Sequence, residues 1–270
     1  MVENTKKSKQ ETVADKSTDN KPKSDAKPRD ARRRSDDKPS IDLDSWNPKT
    51  ELGRKIKVGE IKELDQILDK GLSILEPEIV DILLPNTESL LMMVGQSKGK
   101  FGGGKRSIWR QTQKKTCEGN RAKFTSVAIV GNRDGYIGLG IGKAKETVPA
   151  HEKAVRQAKL NLIKIKRGCG SWECSCAGHH STPFKVKGKC GSVRIEIMSA
   201  PKGSNLKIEK ECQKMLELAG IKDVYSKTFG QTSTKINLLK ACFAALKQLS
   251  QVRVLPEHIE TLGILEGRNV

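Results

Sequence analysis

Large aromatic side chains are scarce in this chain: of 270 residues, three are Trp, two Tyr and five Phe. Base stacking on an aromatic sheet surface, the mode of RNA recognition motifs, is therefore not expected. Long apolar runs are also missing. None approaches the roughly 20 residues that a membrane span needs, and the opening MVENTKKSKQ lacks the apolar core of a signal peptide. No membrane partner is expected. The seven cysteines are odd in number, and Cys117, Cys190, Cys212 and Cys242 lie far apart. That is not the framework of a secreted disulfide protein, and it points to a reducing, cytoplasmic setting.

Catalytic signatures are equally thin. Gly104-Lys105 is followed by Arg106 rather than Ser or Thr, so the glycine run is no phosphate-binding P-loop. His151 is followed directly by Glu152, which is not the His-X-Glu spacing of zinc deaminases, and there is no HExxH. No nucleophile, base and orienting group cluster in the sequence, and an enzyme is not expected. Negative charge is the last shortage. Asp and Glu total 32 against 51 Lys and Arg, giving a formal charge of +19 and a pI near 9.7. Such a surface concentrates polyanions through phosphate contacts that weaken with salt.

Residues 1–40 carry almost no large apolar side chain and are expected to be disordered when free. Their Arg32-Arg33-Arg34 run reads as a targeting signal, an RNA-touching tail or a simply solvated segment. Residues 41–95 read as an accessory helical segment, with helices at 60–70 and 78–84 and a short buried strand at 90–94. In 96–182, β-rich runs at 124–130 and 136–141 flank the turn Asn132-Arg133-Asp134-Gly135, a strong hairpin signal. A helix from Pro149 to about 165 follows, its apolar face read as Val155, Ala158, Leu162 and Ile165. Its polar face is read as Lys153, Arg156, Lys159, Lys164 and Lys166, either solvated or RNA-facing. The resulting β-β-β-α unit has the layout of double-stranded-RNA-binding modules, which read A-form shape. Residues 183–250 read as a second unit, β-β-α-β-α, and 251–270 as a C-terminal tail. The fold class is α+β.

The densest positive charge sits in 96–145. Lys98, Lys100, Lys105, Arg106 and Arg110 are threaded through Gly99 and the glycines at 102–104, and this is read as an extended arm lying against phosphates. Arg133, Lys143 and Lys145 extend the RNA-binding set along the hairpin. A second constellation is Cys169-X4-Cys174-X-Cys176-X2-His179, three thiols and an imidazole within eleven residues, with His180 as a spare. One reading is a tetrahedral zinc site; the other is three reduced thiols on a glycine-rich turn.

Residues 45–250 resemble the small-subunit ribosomal protein five family in its archaeal form. The resemblance is carried by GQSKGKFGGGKRSIWRQTQKKTCEGNRAKFTSVAIVGNRDGYIGLGIGKAKET, KIKRGCGSWEC, TPFKVKGKCGSV and ELAGIKDVYSKTFGQTSTKINLLKA. It implies a double-stranded-RNA-binding-like first domain and a second domain with a left-handed β-α-β crossover. It implies binding of small-subunit rRNA between head and body, contact with small-subunit protein four, and a share with proteins three and four in the channel by which mRNA enters. It further implies an influence on translational accuracy. A loop at 113–123 would reach the head near the neck, with Lys114, Lys115, Arg121 and Lys123 on phosphates. The protein-partner surface would lie around Pro201, Lys202 and Gly203. Here the chain departs from the family, reading Ser204-Asn205-Leu206-Lys207-Ile208-Glu209 where relatives often carry further glycines.

Overall fold

The computed structural model describes residues 46–99, 101 and 103–268. The expected tail at 1–40 with its arginine run, and Lys100 of the arm, lie outside the described residues. The chain is α+β: among the described residues the strands form a five-stranded, a four-stranded and a two-stranded sheet, with helices packed on the two larger ones. Among the described residues no helix is long and apolar enough to cross a membrane.

Three short helices come first: α1 (Glu51–Val58), α2 (Leu64–Asp69) and α3 (Glu78–Leu83). Helix α1 was not legible, because Leu52 and Ile56 are its only large apolar residues before Val58. Its ends explain it: the Thr50 side chain accepts the Gly53 N–H, and Gly59 closes it at φ 87°. Glu76 binds the chain just ahead, accepting the Lys49 and Thr50 N–H groups at 2.8 and 2.7 Å. Trp46, Ile56, Ile61, Leu64, Ile67, Ile79 and Val80 form a separate small core that leans on Tyr136 and Leu162.

The first sheet comprises β1 (Glu88–Leu91), β2 (Arg110–Thr116), β3 (Gly119–Gly131), β4 (Tyr136–Ala144) and β5 (Leu162–Lys164). Strand β3 is its spine. Strand β4 pairs along one edge, from Phe124↔Ala144 to Gly131↔Ile137. The other edge is divided: β1 takes Ala128 to Gly131, and β2 takes Gly119 to Thr125. Because β4 stops at Phe124, the segment from Thr112 to Lys123 projects beyond the sheet as a two-stranded ribbon. The expected loop at 113–123 is thus a ladder with only a short turn, since polar Thr, Gln and Lys residues pair as well as apolar ones when neither face is buried.

Helix α4 (Thr147–Leu160) covers one face of this sheet. Its buried side is Ala150, Ala154 and Ala158, rotated from the expected Val155, Ala158, Leu162 and Ile165. The reason lies in β4. A Cβ on Gly138, Gly140 or Gly142 would stand 2.1, 2.1 and 2.0 Å from the carbonyl oxygens of Ala158, Ala154 and Ala150. Helix and strand backbones meet so closely that only small residues fit between them. The helix ends at Leu160, and Leu162 to Lys164 turn back as β5, so Lys164 and Lys166 are not on its polar face. Of the cations expected there, Lys153 and Arg156 are exposed, whereas Lys159 pairs with Asp81 at 2.5 Å.

The opposite sheet face, with Val127, Ile129, Ile137 and Leu139, shares one continuous core with the second half of the chain. That half runs β6 (Lys166–Arg167), β7 (Val186–Cys190), β8 (Val193–Ser199), β9 (Leu206–Lys207), α5 (Lys210–Leu218), β10 (Val224–Phe229) and α6 (Lys235–Gln251). The sheet order is β7-β8-β10-β9, antiparallel except for the β9/β10 pair, which α5 connects. The bulky segment at 204–209 is thus a short strand leading into the N-cap Glu209, whose carboxylate accepts two N–H groups of α5. The C-terminal tail doubles back: α7 (Pro256–Leu262) leads into β11 (Leu265–Glu266), which pairs with β6. Arg167, 3% exposed, ties this return, donating to Asp134 at 2.7 Å and to the Gly267 carbonyl at 3.0 Å.

Candidate nucleic-acid interface and metal cluster

Register fixes which ribbon cations act together. Cross-strand partners share a face, and the pairs are Arg110↔Thr125, Thr112↔Lys123 and Lys114↔Arg121. Arg110, Lys114, Arg121 and Lys123 therefore line one face, and Lys115, opposite Asn120, points to the other. All five are exposed. Like charges directly opposite each other, as Lys114 and Arg121 are, destabilise a bare ladder. Arg121 is partly relieved by Glu118 at 2.7 Å, a solvent-exposed pair worth little by itself. Thr125 pairs in turn with Lys143 on β4, so the same face continues toward Lys143. There Lys123, Lys143, Lys145 and Lys153 line one shallow groove at the start of α4.

The glycine-rich arm is not extended. Ser97 and Arg106 form an antiparallel bridge, the Lys98 N–H donates to the Lys105 carbonyl, and that of Gly104 to Gly99, both at 3.1 Å. Gly103 and Gly104, each at φ 66°, let the chain reverse there. Lys98 and Lys105 are exposed and Arg106 is half-buried. Phe101, fully exposed on the same loop, was not singled out by sequence reasoning, although its isolation among glycines marks it. Arg106 and Arg110 share a groove with the first turn of α6, whose N-cap Thr234 makes no side-chain cap bond. Arg133 is not brought to this region. It sits at the far end of the β3–β4 hairpin and binds Glu88 through Nε and Nη2 at 3.1 and 2.8 Å.

The cysteine-rich segment gathers as expected, with one correction. Ligand atoms of Cys169, Cys174, Cys176 and His180 all lie within 4.8 Å of one another, a set able to hold a metal ion. His179 is exposed and outside it. The choice between the two histidines is made by the backbone: the His180 carbonyl accepts the Lys222 and Asp223 N–H groups at 2.8 and 3.1 Å. That turns its ring inward, with Nε2 3.9 Å from Cys174 Sγ and Nδ1 2.8 Å from Asp223 Oδ2. A hydrogen bond from the Lys202 N–H, followed by contact with Cys176, pulls the Cys174 thiol down to about 6. Burial pushes Cys169 up to about 11. Asp223, missed from sequence, is 43 positions from His180 and carries no local signal. Its other oxygen accepts the Gly203 and Asn205 N–H groups at 3.1 and 2.8 Å. The turn of Pro201, Lys202 and Gly203 thus stands directly beside the cluster, with Lys202 and Gly203 exposed.

Comparison with known proteins gives matches over most of the chain. The family described as ribosomal protein S5, N-terminal domain, matches residues 108–166, and ribosomal protein S5, C-terminal domain, matches 188–258. Small ribosomal subunit protein uS5 of Nanoarchaeum equitans is 48% identical over 227 residues, covering 84% of this chain and 97% of that protein. Its counterpart in Methanocaldococcus jannaschii is 49% identical over 228 residues, 84% of this chain and 98% of the relative. That of Methanosphaera stadtmanae is 46% identical over 226 residues, 84% and 93% respectively.

Proposed function

The chain belongs to the ribosomal protein S5 family, and from that premise we propose that it is a structural constituent of the small ribosomal subunit in the cytoplasm, holding rRNA between head and body. The family is one of structural proteins, not enzymes. In this reading the ribbon from Thr112 to Lys123 reaches toward the head near the neck. The first half binds duplex RNA by shape, as double-stranded-RNA-binding modules do. The turn of Pro201, Lys202 and Gly203 with α5 faces small-subunit proteins four and three and the channel by which mRNA enters, and so bears on translational accuracy.

The observation that carries the reading is the ribbon's register, which sets Arg110, Lys114, Arg121 and Lys123 on one exposed face that Lys143 prolongs. Phosphates are the ligand that makes such a face favourable. Replacing Lys114, Arg121 and Lys123 together by Ala removes three contacts, each worth about 0.7–0.9 in the slope of log K against log salt. The slope for binding small-subunit rRNA should fall by about 2 to 2.7. Lys115→Ala, on the other face, should change it by about one unit or less. The wild-type chain should co-sediment with small subunits. An unchanged slope in the triple variant would remove the ribbon from the interface, and recovery of the wild-type chain only in free fractions would remove the ribosomal role.

A further inference from the structure

We propose that Cys169, Cys174, Cys176 and His180 bind one zinc ion, and that this ion, acting through His180 and Asp223, holds the exposed turn at 201–205 in place. Zinc in a closed site takes four ligands at about 2.3 Å for sulfur and 2.0 Å for nitrogen, which sets neighbouring ligand atoms about 3.5–3.8 Å apart. The four atoms here already lie within 4.8 Å of one another, and the Cys174–His180 pair at 3.9 Å. Closing on an ion needs shifts of less than about 1 Å. Three thiolates and an imidazole suit zinc and not magnesium or calcium. An iron–sulfur cluster is several times wider than a single ion and would need its ligands spread further than these.

Packing does not account for the convergence. Trp172, the one large apolar side chain of the cysteine-rich segment, is 92% exposed. The surroundings are arranged for a metal instead. His180 Nδ1 meets Asp223 Oδ2 at 2.8 Å, which fixes the tautomer with Nε2 as a lone-pair donor toward the three thiols. Asp223, 4% exposed, then accepts Gly203 and Asn205 N–H groups through Oδ1. Asn205 stands at φ 58° and Gly203 at φ 90°, a turn that needs such anchoring. One carboxylate therefore links the cluster to the surface proposed to face protein partners. Metal binding itself does not depend on a ribosomal role, since the free chain contains all four ligands.

The full-length chain, purified and dialysed against metal-free buffer, should retain about one zinc per chain by elemental analysis. Cobalt should replace it with the visible absorption of a tetrahedral thiolate site. His180→Ala and Cys176→Ser should lose the ion, His179→Ala should keep it, and His180→Cys should keep it as a four-thiolate site. Asp223→Asn should weaken zinc affinity by about 10–100-fold in chelator competition. Tryptic cleavage after Lys202 should be slow in the zinc form and should quicken when zinc is stripped, and in Asp223→Asn even at saturating zinc. A folded wild-type chain without zinc, or one that keeps zinc in His180→Ala and loses it in His179→Ala, would overturn the site. Cleavage at Lys202 indifferent to zinc would overturn the link to the turn. Neither result bears on whether the chain enters small subunits, which sedimentation reports separately.

Discussion

Gly140→Ala adds a single methyl group at the close seam between β4 and α4. That Cβ would stand 2.1 Å from the Ala154 oxygen, 2.2 Å from the Ala158 nitrogen and 2.8 Å from the Gln157 carbonyl carbon. Ordinary carbon contacts begin near 3.5 Å, so α4 would have to withdraw by more than about 1 Å. Strand β4 cannot withdraw instead, because β3 pairs with it from Phe124 to Gly131. Nor can the helix leave without cost. Ala150, Ala154 and Ala158 are fully buried against the sheet, and the Ser126 hydroxyl donates to the Ala150 carbonyl at 2.8 Å. Overpacking costs about 1–3 kcal/mol, and the upper end applies where the obstructing atoms are backbone. With about 2–4 °C per kcal/mol for a chain of this size, 3 kcal/mol lowers the thermal midpoint by about 6–12 °C. Gly188→Ala should behave alike, since its Cβ would lie 2.0 Å from the Ala241 oxygen on α6. Far-UV circular dichroism during heating or urea unfolding reads both. A Gly140→Ala loss below about 0.5 kcal/mol, within the range of ordinary surface substitutions, would show that the helix slides freely and would refute the reasoning.

Alkaline pH should weaken the joint between the helical segment and the first sheet. Burial, then the hydrogen bond to Asp65, raises Tyr136 well above its usual value. Burial alone would lower Lys164, but Asp69, Asp65 and Glu266 outweigh it and raise it. Both groups titrate higher folded than unfolded, so their contribution is complete below about pH 10 and fades as pH rises through the folded values. Urea midpoints should therefore hold up to about pH 10 and drop above it. Tyr136→Phe should start about 1 kcal/mol lower for the lost hydrogen bond yet drop less, and parallel losses would exclude tyrosine ionisation as a cause. Separately, Glu76→Ala leaves the Lys49 and Thr50 N–H groups without their acceptor at about 1–3 kcal/mol. Amide exchange at those two positions should accelerate, and unaltered exchange would mean that solvent replaces the carboxylate fully.

What could be read from the sequence was whatever is periodic or local. The Asn132-Arg133-Asp134-Gly135 turn and the helix opening near Pro149 are spelled out in neighbouring residues, as is the gathering of three thiols. What escaped was decided across distance. The ribbon was read as a loop because its strands have no apolar face, and only pairing with β3 makes them strands. The buried side of α4 was misjudged because large residues usually mark a core, whereas here three glycines on β4 invert that rule. His180 displaces His179 because Lys222 and Asp223 hold its carbonyl, and those residues follow more than forty positions later. The return of the last residues onto β6 depends on Arg167, whose partners Asp134 and Gly267 lie far away in both directions.

Charge is distributed by the same long-range logic, and this bears on why a chain at +19 folds at all. Carboxylates are concentrated at the joints: Asp81 on Lys159, Asp69 on Lys164, Glu88 on Arg133, Asp134 on Arg167, Glu209 on Lys235 and Glu196 on Lys185. Each of these pairs ties one element to another. Among the described residues, no ion pair engages Lys98, Lys105, Lys114, Lys115, Lys123, Lys143 or Lys145. Part of the excess positive charge therefore falls on the glycine loop, the ribbon and the groove beside α4, segments that contribute little to either core. Self-repulsion there costs the folded state least, because exposed like charges in water repel by only about 1 kcal/mol at 4 Å. It is also where a polyanion can relieve that repulsion while releasing its own counterions.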